Sequence, residues 1–210
     1  MKKRIILDVD GTLIPTPDYK IAIQSSFDDL GIFYTENDVT NFIKAMSSYE
    51  DKHESYNYDE YLKYVRYFLG KNMDKSVLDN YFKHTERLIP QKPDLIILET
   101  LEYLMGKHYE LGVLSNFFKE VQEGRLNDLG YLKYFSFVLG GEEFMKPDRR
   151  AYYQAASGMQ PENVVFIGDS VTYDFEIPKS MGFDAILYDP NYQYSTKTLV
   201  NSFSDIRKVL

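Results

Sequence analysis

The stretch Arg4-Ile5-Ile6-Leu7-Asp8-Val9-Asp10-Gly11-Thr12 decides how the rest of the chain is read. Its β-branched residues and leucine, almost at the N-terminus, predict a strand buried on both faces, as in a parallel sheet. Asp8 and Asp10 then fall at its carboxyl end, the edge at which open α/β sheets bind ligands. Alternate residues of a strand share a face, so the two carboxylates are expected to converge on one point. Close carboxylates repel each other unless a cation stands between them, and the hard cation suited to oxygen ligands is Mg²⁺. Taken alone, the stretch is equally an acidic strand end followed by a polar turn. Its weight comes from what lies further along.

Directly after it, Leu13-Ile14-Pro15-Thr16-Pro17 breaks regular structure, because each proline restricts itself and its predecessor. Thr16 or Asp18 is positioned to start the next helix. Four helices are predicted with no strand between them. They run over 18–31 (apolar Ile21, Phe27 and Leu30, stopped by Gly31), from Thr35 to about Ser48 (Val39, Phe42, Ile43, Met46), from Asp59 to Leu69, and from Asp74 to about Arg87. Thr35-Glu36-Asn37-Asp38 fits a capping box, and Gly70 fits a helix stop. Pro90 and Pro93 mark the return to a pattern in which strands and helices alternate. Helices are predicted from Asp94 to Met105, Lys119 to Leu129, Pro147 to Ser157, Thr172 to Met181 and Ser202 to Leu210, the fourth shortened or kinked by Pro178. Strands are predicted at Tyr109–Leu114, Phe135–Leu139, Asn163–Gly168 and Asp184–Tyr188. Alternation of this kind implies a parallel sheet covered on both faces with right-handed crossovers. The expected division is an α/β core of residues 1–14 and 91–210, with a small α-helical unit, 15–90, inserted after the first strand.

At 210 residues, 44% of them apolar and 27% charged, the chain is long enough for one substantial core or a core with a smaller insert. It has no cysteine and three histidines, which excludes disulfides and thiolate metal sites and argues against zinc. The net charge of −8 argues against non-specific nucleic-acid binding. It also leaves an anionic substrate to be held by local cations. Met1-Lys2-Lys3-Arg4 is a basic start like that of a signal peptide, but Ile5-Ile6-Leu7 is too short an apolar run to complete one. No stretch approaches transmembrane length. A cytoplasmic protein without a membrane partner, monomeric or homodimeric, is the expectation.

Asp8 and Asp10, Ser115, Lys146 and Asp169 each fall at or just past the carboxyl end of a predicted strand, so they are expected at one edge of one sheet. Three carboxylates, a hydroxyl and a lysine around a divalent cation suit phosphoryl transfer, which needs charge neutralised on the equatorial oxygens and a nucleophile in line. Singly, Ser115-Asn116 reads as a turn or helix cap, Lys146 as a solvated lysine, and Asp169 and Asp174 as a cap and an exposed charge.

The ordered set resembles the haloacid dehalogenase (HAD) superfamily. Asp8-Val9-Asp10-Gly11-Thr12 matches its Asp-x-Asp-x-Thr pattern, followed in order by Ser115, by Lys146 before Pro147-Asp148, and by Gly168-Asp169 with Asp174. The resemblance implies a HAD-like Rossmannoid sheet with a helical cap of the first subclass in the phosphoglycolate phosphatase and β-phosphoglucomutase style. It implies Asp8 as nucleophile, forming an aspartyl-phosphate, and Asp10 as general acid and then base, with its backbone carbonyl on Mg²⁺. Thr12 and Ser115 would bond the phosphoryl oxygens, with backbone N–H groups near Val9 and Asn116. Lys146 would pair with nucleophile and phosphate, and Asp169 and Asp174 would serve the metal, Asp184 or Asp189 being nearby acids. Dehalogenases of this superfamily lack the second aspartate, because a halide leaves without a proton; Asp10 therefore favours a phosphate ester. The implied activity is a Mg²⁺-dependent phosphatase acting on a sugar phosphate, phosphoglycolate or a nucleotide. A phosphomutase of the β-phosphoglucomutase type resembles the core motifs equally, and an idle phosphate-binding regulatory module is a third reading. A phosphonatase-type Schiff-base lysine would have to come from Lys44, Lys52, Lys63 or Lys71, whose spacing favours none. The run Tyr49, Tyr56, Tyr58, Tyr61, Tyr64 and Tyr67 is expected to pack the helical unit rather than to stack on a substrate. Lys52, His53 and Arg66 are expected to be solvated rather than to hold a second anion.

Overall fold

The computed structural model of the chain describes residues 3–195 and 198–210; Met1 and Lys2 of the basic start lie outside the described residues. Arg4–Leu7 is strand β1, buried throughout. It is central in a six-stranded sheet ordered β3-β2-β1-β4-β5-β6, with β2 at Glu110–Leu114, β3 at Phe137–Leu139, β4 at Val164–Gly168, β5 at Asp184–Tyr188 and β6 at Leu199–Val200. All neighbours are parallel, and Leu7 lies opposite Val113 on one side and Ile167 on the other. The chain fills the sheet outward through β2 and β3, then returns to the far side of β1 for β4. The crevice of such a sheet opens where the order reverses, here at the carboxyl end of β1.

Side chains of β1 alternate between two cores. Ile5, Leu7 and Val9 pack with Leu101 and Leu104 of α5 (Leu95–Gly106), Leu126 of α6 (Lys119–Asp128) and Ile206 of α9 (Ile206–Val209). Ile6 packs on the other face with Ala151, Tyr152 and Ala155 of α7 (Arg149–Ala156). Burial on both faces explains why the strands read as unbroken apolar runs.

Helices α1 (Tyr19–Asp29), α2 (Glu36–Glu50), α3 (Tyr58–Leu69) and α4 (Ser76–Arg87) lie between β1 and α5 in the chain. They share a third apolar cluster, which also takes in Phe117, Val121 and Met145 from beyond β2 and β3. Asp18 caps α1, Thr35 and Asp38 form the capping box of α2, and Gly70 ends α3 in the left-handed conformation.

Several local expectations need correction. On α1 the inward face carries Ala22, Ile23 and Phe27, while Ile21 and Leu30 are 49% and 37% exposed. Pro147 stands before α7, whose cap is Asp148. The Thr172–Met181 segment is a π-helical turn, Val171–Glu176, followed by the short α8, Ile177–Ser180, with Pro178 in its first turn where no N–H is needed. The terminal helix is shorter than expected, a 3₁₀ turn at Phe203–Asp205 leading into α9. No helix among the described residues is long and apolar enough to cross a membrane.

Candidate active site

Hydrogen bonds of the sheet extend past the strands and fix the residues at its carboxyl edge. The Asp8 N–H donates to the Ile167 carbonyl at 2.9 Å, and the Ser115 N–H to the Leu139 carbonyl at 3.0 Å. Beyond Asp8 the chain turns sharply, with the N–H groups of Thr12, Leu13 and Ile14 all donating to the Val9 carbonyl. Gly11 takes φ +84° in that turn, and a Cβ there would come within 2.2 Å of an Asp169 carboxylate oxygen. Gly168 likewise leaves room for Asp174, whose carboxyl carbon would lie 2.3 Å from a Cβ. Both glycines are thus required by the close approach of carboxylates to backbone.

Asp8, Lys146 and Asp174 form a buried ion cluster. Lys146 Nζ donates at 2.7 Å to Oδ1 of Asp8 and at 2.7 Å to Oδ1 of Asp174. Asp174 is held in turn by the Ser170 N–H at 3.1 Å. Asn116 positions the lysine. Its side-chain amide donates to the Lys146 carbonyl at 2.5 Å and accepts from the Lys146 N–H at 2.6 Å. The Asn116 side chain is therefore anchored on both polar groups of the Lys146 backbone. Burial pushes the Asp8 carboxyl up to about 8, with the Asp174 charge adding to it and Lys146 opposing. Burial also pulls Lys146 down, but the carboxylates of Asp174 and Asp8 outweigh it and hold the ammonium charged.

One carboxylate oxygen each from Asp8, Asp169 and Asp174 lie within 4.8 Å of one another. Burial, then the Asp174 charge, raises Asp169 to about 6. Three acids facing a single lysine leave an excess of negative charge that an all-oxygen divalent site would neutralise, so the donor set fits Mg²⁺.

The Asp10 carboxylate stands outside that trio. It lines the same cleft as Asp8, but with β1 ended at Leu7 and a turn following, its side chain is not part of the three-oxygen group. It is met from α6, where Arg125 Nη1 donates to Oδ1 at 2.7 Å and Gln122 Nε2 to Oδ2 at 2.9 Å. Gln122 Nε2 also donates to Ser115 Oγ at 2.7 Å. Thr12 is the residue that the structure does not bring to this group. It is buried, its hydroxyl bonds no described protein atom, and it lines a second hollow of about 680 Å³, which Gly11 and Asp169 also line. Asp189 lines that hollow too, and accepts from the Tyr194 N–H at 2.8 Å.

Asp8, Asp10, Ser115, Lys146, Asp169 and Asp174 all line one cleft of about 470 Å³ between the sheet edge and α1 and α2. Its outer wall carries Tyr19, Lys20, Ile43, Met46 and Glu50, residues that motif reading missed. Burial, and then the Asp10 charge, raises the Tyr19 hydroxyl pKa, so it stays protonated. Glu50 is raised by burial and accepts from the Tyr56 hydroxyl. The tyrosine run stays out of the cleft. Tyr49, Tyr56 and Tyr61 are buried against one another, and Tyr67 is 80% exposed. Lys71 pairs with Asp38, Lys63 with Glu60, His53 stacks on Tyr49, and Arg66 donates to the Met73 carbonyl.

A family model described as haloacid dehalogenase-like hydrolase matches residues 5–188. The pyrimidine 5′-nucleotidase PynA of Streptococcus pneumoniae (strain ATCC BAA-255 / R6) is 35% identical over 77 residues, 34% of this chain and 32% of that protein. The match therefore spans only about a third of the relative's length. Among solved structures, a HAD phosphatase from Thermococcus onnurineus superposes with a TM-score of 0.69 at 20% identity, covering 100% of this chain and 97% of that one. The L-2-haloacid dehalogenase of Xanthobacter autotrophicus gives a TM-score of 0.71 at 15% identity, covering 100% and 98%. At these identities the two structures speak for the fold.

Proposed function

The chain belongs to the haloacid dehalogenase-like hydrolase family, and from that premise we propose that it is a Mg²⁺-dependent phosphatase of small monoesters with an uncharged leaving group. The observation that carries the reading is the buried Asp8–Lys146–Asp174 cluster with Asp169 beside it on the floor of the cleft. Asp8, Asp169 and Asp174 would hold Mg²⁺, which when bound neutralises charge on the phosphoryl oxygens. An Asp8 oxygen attacks phosphorus as the ester P–O bond breaks, and Asp10 gives its proton to the departing alkoxide. Lys146 and the Ser115 hydroxyl share the charge on the transferring group. Asp10 then takes a proton from water as that water attacks the aspartyl-phosphate, and Asp8 leaves with inorganic phosphate as the product. The proton lent in the first step is regained in the second.

The outer wall supports the choice of leaving group. Ile43 and Met46 are apolar, and beside them Asp18 and Glu50 would repel a second anion, with exposed Lys20 the only cation of that wall among the described residues. Phosphoglycolate and bisphosphates fit this poorly, whereas a nucleoside or sugar does not meet the repulsion. Nucleoside 5′-monophosphates are the first esters to try, in keeping with the name of the Streptococcus pneumoniae relative. The helical unit, residues 15–90, would act as a lid hinged at 15–17 and 88–93, excluding water during transfer.

The test is phosphate release from a panel of metabolite monoesters, with Mg²⁺ and with chelator, by the wild type and Asp8→Asn. Release that needs both Mg²⁺ and Asp8 is the expected result. No release from any ester would move the assignment to a mutase or an idle module, and release surviving Asp8→Asn would remove the nucleophile.

A further inference from the structure

Gln122 and Arg125 lie three residues apart on one face of α6, both with no solvent exposure. A guanidinium carries donors only, so the Gln122 oxygen, 2.8 Å from Arg125 Nη1, must be the acceptor there. That fixes the amide, and its two N–H hydrogens then point to Oδ2 of Asp10 and to Oγ of Ser115. Every polar atom of the Gln122 side chain is thereby used. Two consequences follow from the count of donors and acceptors. Ser115 Oγ accepts from Gln122, so its own O–H is directed elsewhere, and the cleft that Ser115 lines is where an acceptor would stand. Both oxygens of Asp10 are tied, so the plane of the carboxylate is set, with a lone pair on each oxygen left for the cleft.

Packing does not account for this arrangement. Nε and Nη2 of Arg125 are buried and bond no described protein atom, so the guanidinium keeps two idle donor groups in the interior. An apolar side chain of similar volume would fill the same space without that desolvation cost. What Arg125 does with its charge is to meet Asp10 and to orient Gln122.

We propose that Gln122 and Arg125 are positioning residues, which hold the Asp10 carboxylate and the Ser115 hydroxyl as one unit in the geometry for phosphoryl transfer. This rests on the reading of Asp10 as proton donor and acceptor. They act through Asp10 and Ser115, whose oxygens they hold. Their effect is on the direction in which Asp10 delivers its proton and Ser115 its hydrogen bond.

The experiment compares two substrates, the best alkyl ester from the panel and p-nitrophenyl phosphate, whose phenolate leaves without protonation. Gln122→Met and Arg125→Met are expected to lower kcat on the alkyl ester about a hundredfold, with KM changed little, and to lower it tenfold or less on p-nitrophenyl phosphate. Asp10→Asn is the reference. Loss of equal size on both esters in the two α6 variants, with Asp10→Asn still selective for the alkyl ester, would overturn the proposal while leaving Asp10 in its role. An Asp10→Asn variant without that selectivity would instead overturn the reading of Asp10 and this inference with it. Should Arg125→Met not fold, Gln122→Met decides alone, because it removes no charge and nearly preserves volume.

Discussion

Asp8 and Asp169 carry carboxyls that burial lifts far above the usual range, Asp8 to about 8 and Asp169 to about 6. In the unfolded chain both would titrate near the ordinary aspartate value of about 3.9. Between the two values the folded chain holds protons that the unfolded chain has released. The stability that these groups contribute is therefore present in full at low pH, and is lost as pH rises through about 6 and then about 8. A cation on the same oxygens must displace those protons, so its binding strengthens with pH. The expected outcome is a rise in melting temperature on adding Mg²⁺ that is small near pH 5.5 and large near pH 8.5, read against chelator at each pH. A shift no larger at the higher pH would take these carboxylates out of the metal site. Much of this residue-scale picture was legible in the sequence, because Asp8, Ser115 and Asp169 each directly follow a strand with a clear apolar run, and Lys146 lies beyond the short β3. Thr12 was placed less well, since a turn rather than a continuing strand follows Leu7 and puts Thr12 in the neighbouring hollow.

Local signals at the ends of α2 and α3 were readable because cap and helix are neighbours in the chain. Thr35 Oγ1 accepts from the Asp38 N–H at 3.3 Å, and Asp38 Oδ2 accepts from the Thr35 N–H at 2.8 Å. The Lys71 ammonium beside Asp38 lowers its pKa most; burial opposes it, and the bonds from Thr35 add to the lowering. A depressed carboxyl stabilises the fold above its unfolded pKa, and that contribution fades as pH falls through the folded value. Asp38→Ala should accordingly cost about 1 kcal/mol in urea unfolding at neutral pH, with the gap to wild type closing in acid. An equal gap at both pH values would mean that the carboxylate's charge is irrelevant. By contrast, Gln122 and Arg125 were invisible among the elements, because Asp10, which explains them, lies 112 and 115 residues away. Their signal was two polar side chains on the buried face of a helix beside Val121 and Leu126, a pattern that spacing alone leaves unexplained. Strand β6 has two residues, Leu199 and Val200, too few for any periodicity to show. On α1, Ile21 and Leu30 look inward by composition, yet the packing of α1 on its neighbours selects Ala22, Ile23 and Phe27 instead.

At the scale of the whole molecule, the proposed lid is fastened at a point remote from its hinges. The segment between α2 and α3 reaches back to the sheet edge, where the Tyr56 N–H donates to the Gly141 carbonyl at 2.7 Å and the Met145 N–H to the Glu54 carbonyl at 2.8 Å. The buried Tyr56 ring packs on Phe118 with centroids 5.0 Å apart and on Phe117 at 5.9 Å. Gly141 allows this contact, since a Cβ there would stand 2.7 Å from Tyr56 Cδ2. Swinging the helices about residues 15–17 and 88–93 would break both hydrogen bonds and expose the ring. Two such bonds at about 1 kcal/mol each and an aromatic burial of about 2 kcal/mol put the open state several kcal/mol above the closed one. A gap of that size leaves it at about 0.1% of molecules or fewer, enough for substrate to enter but rarely seen. Removing the ring should shift this balance, and it also takes away the hydroxyl that bonds Glu50 on the cleft wall. Tyr56→Ala is expected to speed amide exchange at Met145 and at residue 56 about tenfold or more, while the amides of β1 and β4 keep their wild-type rates. Adding Mg²⁺ with a phosphate mimic should slow exchange at the hinge residues that carry an amide hydrogen, Thr16, Leu88, Ile89, Gln91 and Lys92, if closure of the lid is coupled to the site. Equal acceleration across β1 and β4 would show that Tyr56 supports the fold as a whole, and that the contact at Gly141 is no latch.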